Sequence, residues 1–171
     1  MSVTRLTETS YVVLGLIEAM QPATPYDLKR AAEAGVQHFW ALPHTQLYSE
    51  CGRLAEAGLL SEKREATGRR RRIYRITTAG VKALDKWRHD PETQPYELRD
   101  PGLLKLFFGA DPVRLAEAQL ARHEQMLRAF EGLRAWAEPL PDGVQLALES
   151  GIGHEREYVR FWKRIRDGVS R

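Results

Sequence analysis

Cysteine is nearly absent from this 171-residue chain: Cys51 stands alone, so no disulfide can close within it. No stretch approaches the roughly 20 apolar residues that a membrane-spanning helix needs. The opening MSVTRLTETS lacks the apolar core and small-residue cleavage site of a secretory signal. These absences lead to the expectation of a cytoplasmic protein with no membrane partner. The five histidines (His38, His44, His89, His123 and His154) form neither HxxxH nor HExxH, and one cysteine cannot build a cysteine-rich zinc site. There is no Gly-rich phosphate loop ending in Gly-Lys-Ser or Gly-Lys-Thr, no GxGxxG and no GxSxG. No metal, no cofactor and no catalytic constellation is therefore expected, and an enzyme is not the reading.

What the chain does have is an uneven distribution of charge. Residues 1–90 carry 14 Lys/Arg against 10 Asp/Glu, whereas residues 91–171 carry 12 against 13. Four of the basic residues, Arg69, Arg70, Arg71 and Arg72, stand together in TGRRRRIYRITTAG. A basic first half joined to a neutral second half suggests a polyanion-binding domain over 1–90 and a different domain over 91–171.

Periodicity fills in the first half. Val13, Leu16, Ile17 and Met20 recur at helical spacing, with Thr7 or Thr9 available as a cap and Pro22 as a stop. In ATPYDLKRAAEAG, Thr24 is placed as N-cap, Pro25 as the first helical residue, Asp27 as the returning partner of a capping box and Gly35 as the stop. A third helix follows Pro43, with Leu47, Cys51 and Leu54 as a buried stripe and Thr45, Gln46, Tyr48, Ser49, Gly52 and Arg53 on the opposite face. That face carries hydrogen-bonding groups and almost no negative charge, which suits a major groove; a merely solvated face is the alternative. Leu59–Glu65 and Arg71–Thr77 then alternate as two strands about a turn at Gly68, with Tyr74 and Ile76 facing inward and Arg71 and Arg75 outward. Three helices followed by a hairpin is the order of a winged helix-turn-helix. In that fold the arginines arm a wing that lies along phosphates or enters a minor groove. A nuclear-localisation patch or a solubility patch is the other reading.

The segments VVLGLIEAMQPATPYDLKR, LPHTQLYSECGRLAEAGLL and RRRRIYRITTAG together resemble the PadR family of transcriptional regulators. Tyr26, Leu28, Thr45, Tyr48, Leu54, Gly58, Leu59, Tyr74, Thr77 and Gly80 carry the likeness. Pro25 stands where the family usually has glycine, Ile76 replaces a commoner leucine, and Cys51 and Gly52 replace bulkier or basic residues. Gly52 weakens its helix by up to about 1 kcal/mol relative to alanine, and so suggests close approach to DNA or to another helix. The resemblance implies that Tyr48 and the wing arginines meet phosphate, that His44, Thr45, Gln46 and Ser49 lie nearest to base edges, and that Arg53 meets backbone.

The second half reads as helices after the linker DPETQPYELRD. Asp100-Pro101 and Asp111-Pro112 are two cap-plus-proline starts, for a short helix and a long one. The long helix carries a seam through Val113, Ala116, Leu120, His123, Leu127, Phe130 and Ala137, broken by Pro139–Gly143; a last helix over about 144–167 has a broad apolar face. Two such faces need covering. A second copy of the chain supplies the cover and matches an inverted-repeat operator, although packing within one chain is the alternative. The expected architecture is thus mainly α with a small β-hairpin, a winged helix-turn-helix domain followed by a helical dimerisation domain. By resemblance the protein is a homodimeric repressor that binds double-stranded DNA and is released by a small aromatic effector. Trp87, Tyr96, Trp136, Tyr158 and Trp162 are the residues for such a pocket, with His123, His154 or Arg156 meeting a carboxylate; aromatic core is the alternative. A winged-helix protein-protein adaptor is the rival function.

Overall fold

A computed structural model describes residues 5–65 and 71–168. Arg69 and Arg70 lie outside the described residues. The chain divides into two compact units, one running to Gln94 and the other starting at Pro95.

The first unit contains α1 (Glu8–Met20), α2 (Pro25–Ala34), a 3-10 turn at Val36–His38, α3 (His44–Glu56), an antiparallel hairpin of β1 (Leu60–Arg64) and β2 (Arg72–Ile76), and α4 (Thr78–His89). Each strand is one residue shorter at either end than alternation suggests. Local chemistry sets the helix starts. At α2 the Thr24 amide donates to Asp27 Oδ2 at 2.8 Å and the Asp27 amide donates to Thr24 Oγ1 at 3.3 Å, the expected reciprocal box. At α4 the cap is Thr77, whose hydroxyl accepts from the Gly80 amide at 3.1 Å. Gly35 ends α2 without entering the left-handed region (φ −141°). Gly58, in contrast, sits at φ +74° and closes α3: its amide donates to Ala55 O at 3.0 Å while the Leu59 amide donates to Leu54 O at 2.9 Å.

The core of this unit joins Val13, Leu14 and Ile17 of α1 to Leu28 and Ala32 of α2, Leu47, Cys51 and Leu54 of α3, Leu84 of α4, and Leu60 and Tyr74 of the hairpin. The stripe expected on α3 is fully buried. Ala23 adds a single antiparallel bridge to Tyr74, with N–O distances of 3.1 and 2.8 Å, so the α1–α2 connection extends the sheet by one rung. Tyr74 is buried as expected, whereas Ile76 is only half-buried.

The second unit contains α5 (Pro101–Phe107), α6 (Pro112–Gly132), α7 (Arg134–Ala137) and α8 (Asp142–Arg166). Asp100 and Asp111 cap α5 and α6, each accepting two backbone amides. The long helix stops earlier than the seam suggests: Gly132, a poor helix former, ends it, and the Leu133 amide tightens onto Phe130 O at 3.0 Å. Ala137 therefore sits on a separate short helix, and Val113 is exposed. Ala116 and Leu120 of α6 pack with Val159 and Trp162 of α8 in this unit's own core.

Candidate nucleic-acid interface

The helix α3 follows Pro43 without a side-chain cap; the Gln46 amide donates to Pro43 O at 2.9 Å, and the His44 and Thr45 amides keep their donors for an outside acceptor. His44, Thr45, Gln46, Tyr48 and Ser49 are all exposed. Among the described residues Thr45, Gln46 and Tyr48 make no side-chain hydrogen bond. The Ser49 hydroxyl turns back on its own helix, 3.2 Å from Thr45 O and 3.1 Å from Gln46 O, which occupies its proton and leaves its lone pairs outward. His44 Nε2 stands 3.4 Å from Glu33 Oε1 of α2. A Cβ placed on Gly52 meets nothing within 4 Å, so packing inside the chain does not require that glycine.

Arg53 departs from the outward role expected of it. Its Nε donates to Glu50 Oε2 at 2.8 Å, Nη1 donates to the Arg5 carbonyl at 3.0 Å, and Nη2 donates to Ser10 Oγ at 2.9 Å and also to Glu50 Oε1. The guanidinium is thus committed to α1 and to the segment before it. Glu50, 9% exposed, is a residue that sequence reasoning missed. Burial pushes its pKa upward, but hydrogen bonds from Arg53 and Ser10 and the Arg53 charge outweigh that, and the carboxyl is held below its ordinary value. The three-residue spacing of Glu50 and Arg53 was the available signal, since it places both on one helical face.

On the hairpin, each residue of β1 shares a face with its partner on β2, from Leu60 opposite Ile76 to Arg64 opposite Arg72. Two arginines directly opposite repel, and Glu62 relieves this: its carboxylate accepts from Arg64 Nε at 2.8 Å, from the Tyr74 hydroxyl at 3.0 Å, and lies 3.7 Å from Arg72 Nη1. The Arg64 hydrogen bond, set against partial desolvation, holds the Glu62 carboxyl below its ordinary value. Glu65 in turn accepts from Arg71 Nε at 3.1 Å. Both acids of the hairpin are therefore neutralised locally. Lys63 and Arg75 share the other face and form no ion pair among the described residues. Lys63 and Arg64 were missed by a reading drawn to the four consecutive arginines.

Residues 13–86 match the model of the transcriptional regulator PadR-like family. That segment, within the first unit, is PadR-like. Over 173 residues it is 28% identical to the negative transcriptional regulator PadR of Bacillus subtilis (strain 168), covering 91% of this chain and 93% of that protein. The fold is similar to that of B. subtilis PadR solved in complex with operator DNA, with a TM-score of 0.80, 21% identity and coverage of 94% of this chain and 98% of that one. It is similar also to B. subtilis PadR solved with p-coumaric acid, with a TM-score of 0.75, 22% identity and coverage of 94% and 97%. At these identities the structural likeness is one of fold.

The residues expected around an effector fall in both units. Trp87 belongs to the first unit, where it stacks on Tyr11 with ring centroids 4.8 Å apart. In the second unit His123 Nδ1 lies 2.6 Å from Glu155 Oε2, and Tyr158 stands between His123 and the exposed His154, with centroids at 4.7 and 4.5 Å. Burial, with Asp100 next, pushes the Tyr158 hydroxyl up to about 12. Trp162 is fully buried in the α6–α8 core, and its Nε1 has no hydrogen-bond partner among the described residues. Tyr96 and Trp136 are exposed. Arg156, expected to meet a carboxylate, is 2.7 Å from Glu131. Among the described residues no helix is long and apolar enough to cross a membrane, and no group of three His, Cys, Asp or Glu could hold a metal ion.

Proposed function

We propose that the chain represses transcription as a cytoplasmic homodimer, laying α3 in the major groove of each half-site of an inverted-repeat operator. One observation carries this reading: from His44 to Arg53 the outward face of α3 bears no exposed carboxylate, because its single acid, Glu50, is turned inward. Such a face approaches phosphates without repulsion and offers donors and acceptors to base edges. His44, Thr45, Gln46 and Ser49 read bases, and Tyr48 and the uncapped start of α3 meet phosphate. Arg69 to Arg72, joined by Lys63, Arg64 and Arg75, bind the flanking backbone. Arg53 leaves this set, since four of its five N–H donors are in use.

Residues 1–90 serve as the DNA-binding domain, and residues 91–171 pair two copies and take up an effector. Pairing has support in the second unit, where Leu104, Phe107 and Phe108 are 59%, 83% and 78% exposed and demand a cover. Repression and release by a small aromatic acid follow the B. subtilis relative, a negative regulator by name and one solved with p-coumaric acid. The test is selection from a random duplex library with purified protein at about 150 mM salt, near physiological ionic strength. Recovery of an inverted repeat is the expected result. Binding without sequence enrichment reduces the protein to an architectural binder, and no binding makes the adaptor reading the one to pursue.

A further inference from the structure

The stripe of Leu47, Cys51 and Leu54 holds α3 against the core, but apolar contact is non-directional and tolerates rotation of a helix about its axis. Orientation needs directional bonds; among the described residues, besides the His44–Glu33 contact with α2, Arg53 supplies the side-chain bonds that tie α3 to another element. Arg53 grips Glu50 on its own helix with Nε and Nη2, and reaches across to Ser10 Oγ at 2.9 Å and Arg5 O at 3.0 Å. Ser10 is fully buried and is itself fixed, because its Oγ accepts from the Thr7 amide at 2.8 Å as part of the α1 cap. The recognition helix is therefore tied to the first turn of α1 by a planar fork whose geometry a point charge cannot reproduce.

We propose that the Ser10–Glu50–Arg53 bridge sets the rotation of α3, making Arg53 a positioning residue for base reading rather than a phosphate ligand. The proposal rests on the DNA-binding reading above. A side-chain tip about 5–6 Å from the helix axis moves by roughly 1 Å for each 10° of rotation. Gln46 and His44 then miss their base edges, while bonds to phosphate, which are less directional, persist. Glu50 makes the idea sharply testable. By charge alone, removing an acid from a DNA-facing helix tightens binding to every duplex; as part of the bridge, removing it loosens binding to the operator alone.

The experiment compares wild type with Arg53→Lys, Glu50→Gln and Ser10→Ala in the full chain. The probes are a duplex selected by the wild type and a scrambled duplex of the same composition, each titrated over a range of salt. Arg53→Lys is expected to weaken operator binding at least about tenfold, equivalent to roughly 1.4 kcal/mol, with the scrambled duplex and the salt slope unchanged. Glu50→Gln follows in the same direction, and Ser10→Ala, the mildest change, loses less. Three results overturn the proposal: full retention of affinity by Arg53→Lys, an equal loss on both duplexes with the slope reduced by about 0.9, as when one phosphate is no longer neutralised, or tighter binding of both duplexes by Glu50→Gln. Amide hydrogen exchange supplies a readout that needs no DNA. Arg53→Lys must speed exchange in the first turn of α1 while the thermal midpoint stays well above the assay temperature; unchanged protection there overturns the bridge. A wild type that binds neither duplex sinks the DNA reading separately, and hydrogen exchange then decides the bridge on its own.

Discussion

Replacing Gly80 by alanine sets two effects of opposite sign against each other. Alanine is the better helix former by about 1 kcal/mol in a helix interior, and Gly80 lies in the first turn of α4, so propensity alone argues for a gain. Space argues the other way. A Cβ at position 80 stands 2.2 Å from Leu59 O and 2.7 Å from Ile76 Cγ1, well inside the 3.0 Å below which real Cβ atoms essentially never approach a neighbour. The isoleucine can rotate aside, but the Leu59 carbonyl cannot. It accepts from the Thr77 amide at 3.1 Å, and its residue lies between the end of α3 and the start of β1. Overpacking of this kind costs about 1–3 kcal/mol, and loosening the Thr77 cap adds roughly 1 kcal/mol. Set against the gain in propensity, net destabilisation of about 1–3 kcal/mol follows, or a fall of roughly 4–24 °C in the midpoint of a domain this size. Far-UV circular dichroism during urea and thermal unfolding measures it. Gly52→Ala is the control, because a Cβ there meets nothing within 4 Å and should stabilise by up to about 1 kcal/mol. If Gly80→Ala proves neutral or stabilising, the close approach is not what requires glycine there, and the reasoning fails.

Changing Arg69 to Arg72 to alanine should weaken binding to every duplex and flatten the salt dependence by about 0.9 for each phosphate left without its arginine; unchanged affinity and slope in an anisotropy titration remove the wing from the interface. Gln46→Ala should instead relax preference at one base position, losing about 1–3 kcal/mol of discrimination, and an equal loss on operator and scrambled duplex would put Gln46 on phosphate. Cys51 is buried, and that burial, reinforced by the Glu50 charge, pushes its thiol up to about 12. The native protein should therefore resist iodoacetamide at pH 8 and react only after denaturation, as mass spectrometry will read. Prompt native modification would show an accessible thiol and overturn the argument from burial.

Much of the first unit was legible because its signals are local. A threonine, a proline and an aspartate within four residues specify the α2 start, and period-three-and-four spacing finds Leu47, Cys51 and Leu54 without knowledge of what they touch. The hairpin was legible for the same reason, although alternation assigned Ile76 more burial than it has, since a strand pattern reports the face and not the depth of cover above it. Legibility falls off where meaning depends on distant partners. Aromatic content does not tell core from surface: Trp87 stacks on Tyr11, Trp162 fills the α6–α8 core and Trp136 is exposed. Charge is an incomplete signal, because sequence shows which residues carry it and not which are already paired. Four arginines in a row drew attention to residues 69–72, while Lys63 and Arg64 across the hairpin went unnoticed and Glu62 and Glu65 were neutralised by neighbours. Arg53 shows the limit best. Its pairing with Glu50 is three residues away and could be read, but its bond to Ser10 crosses 43 residues of chain. That long bond turns an apparent DNA ligand into a strut, and only the folded arrangement of α1 against α3 contains it.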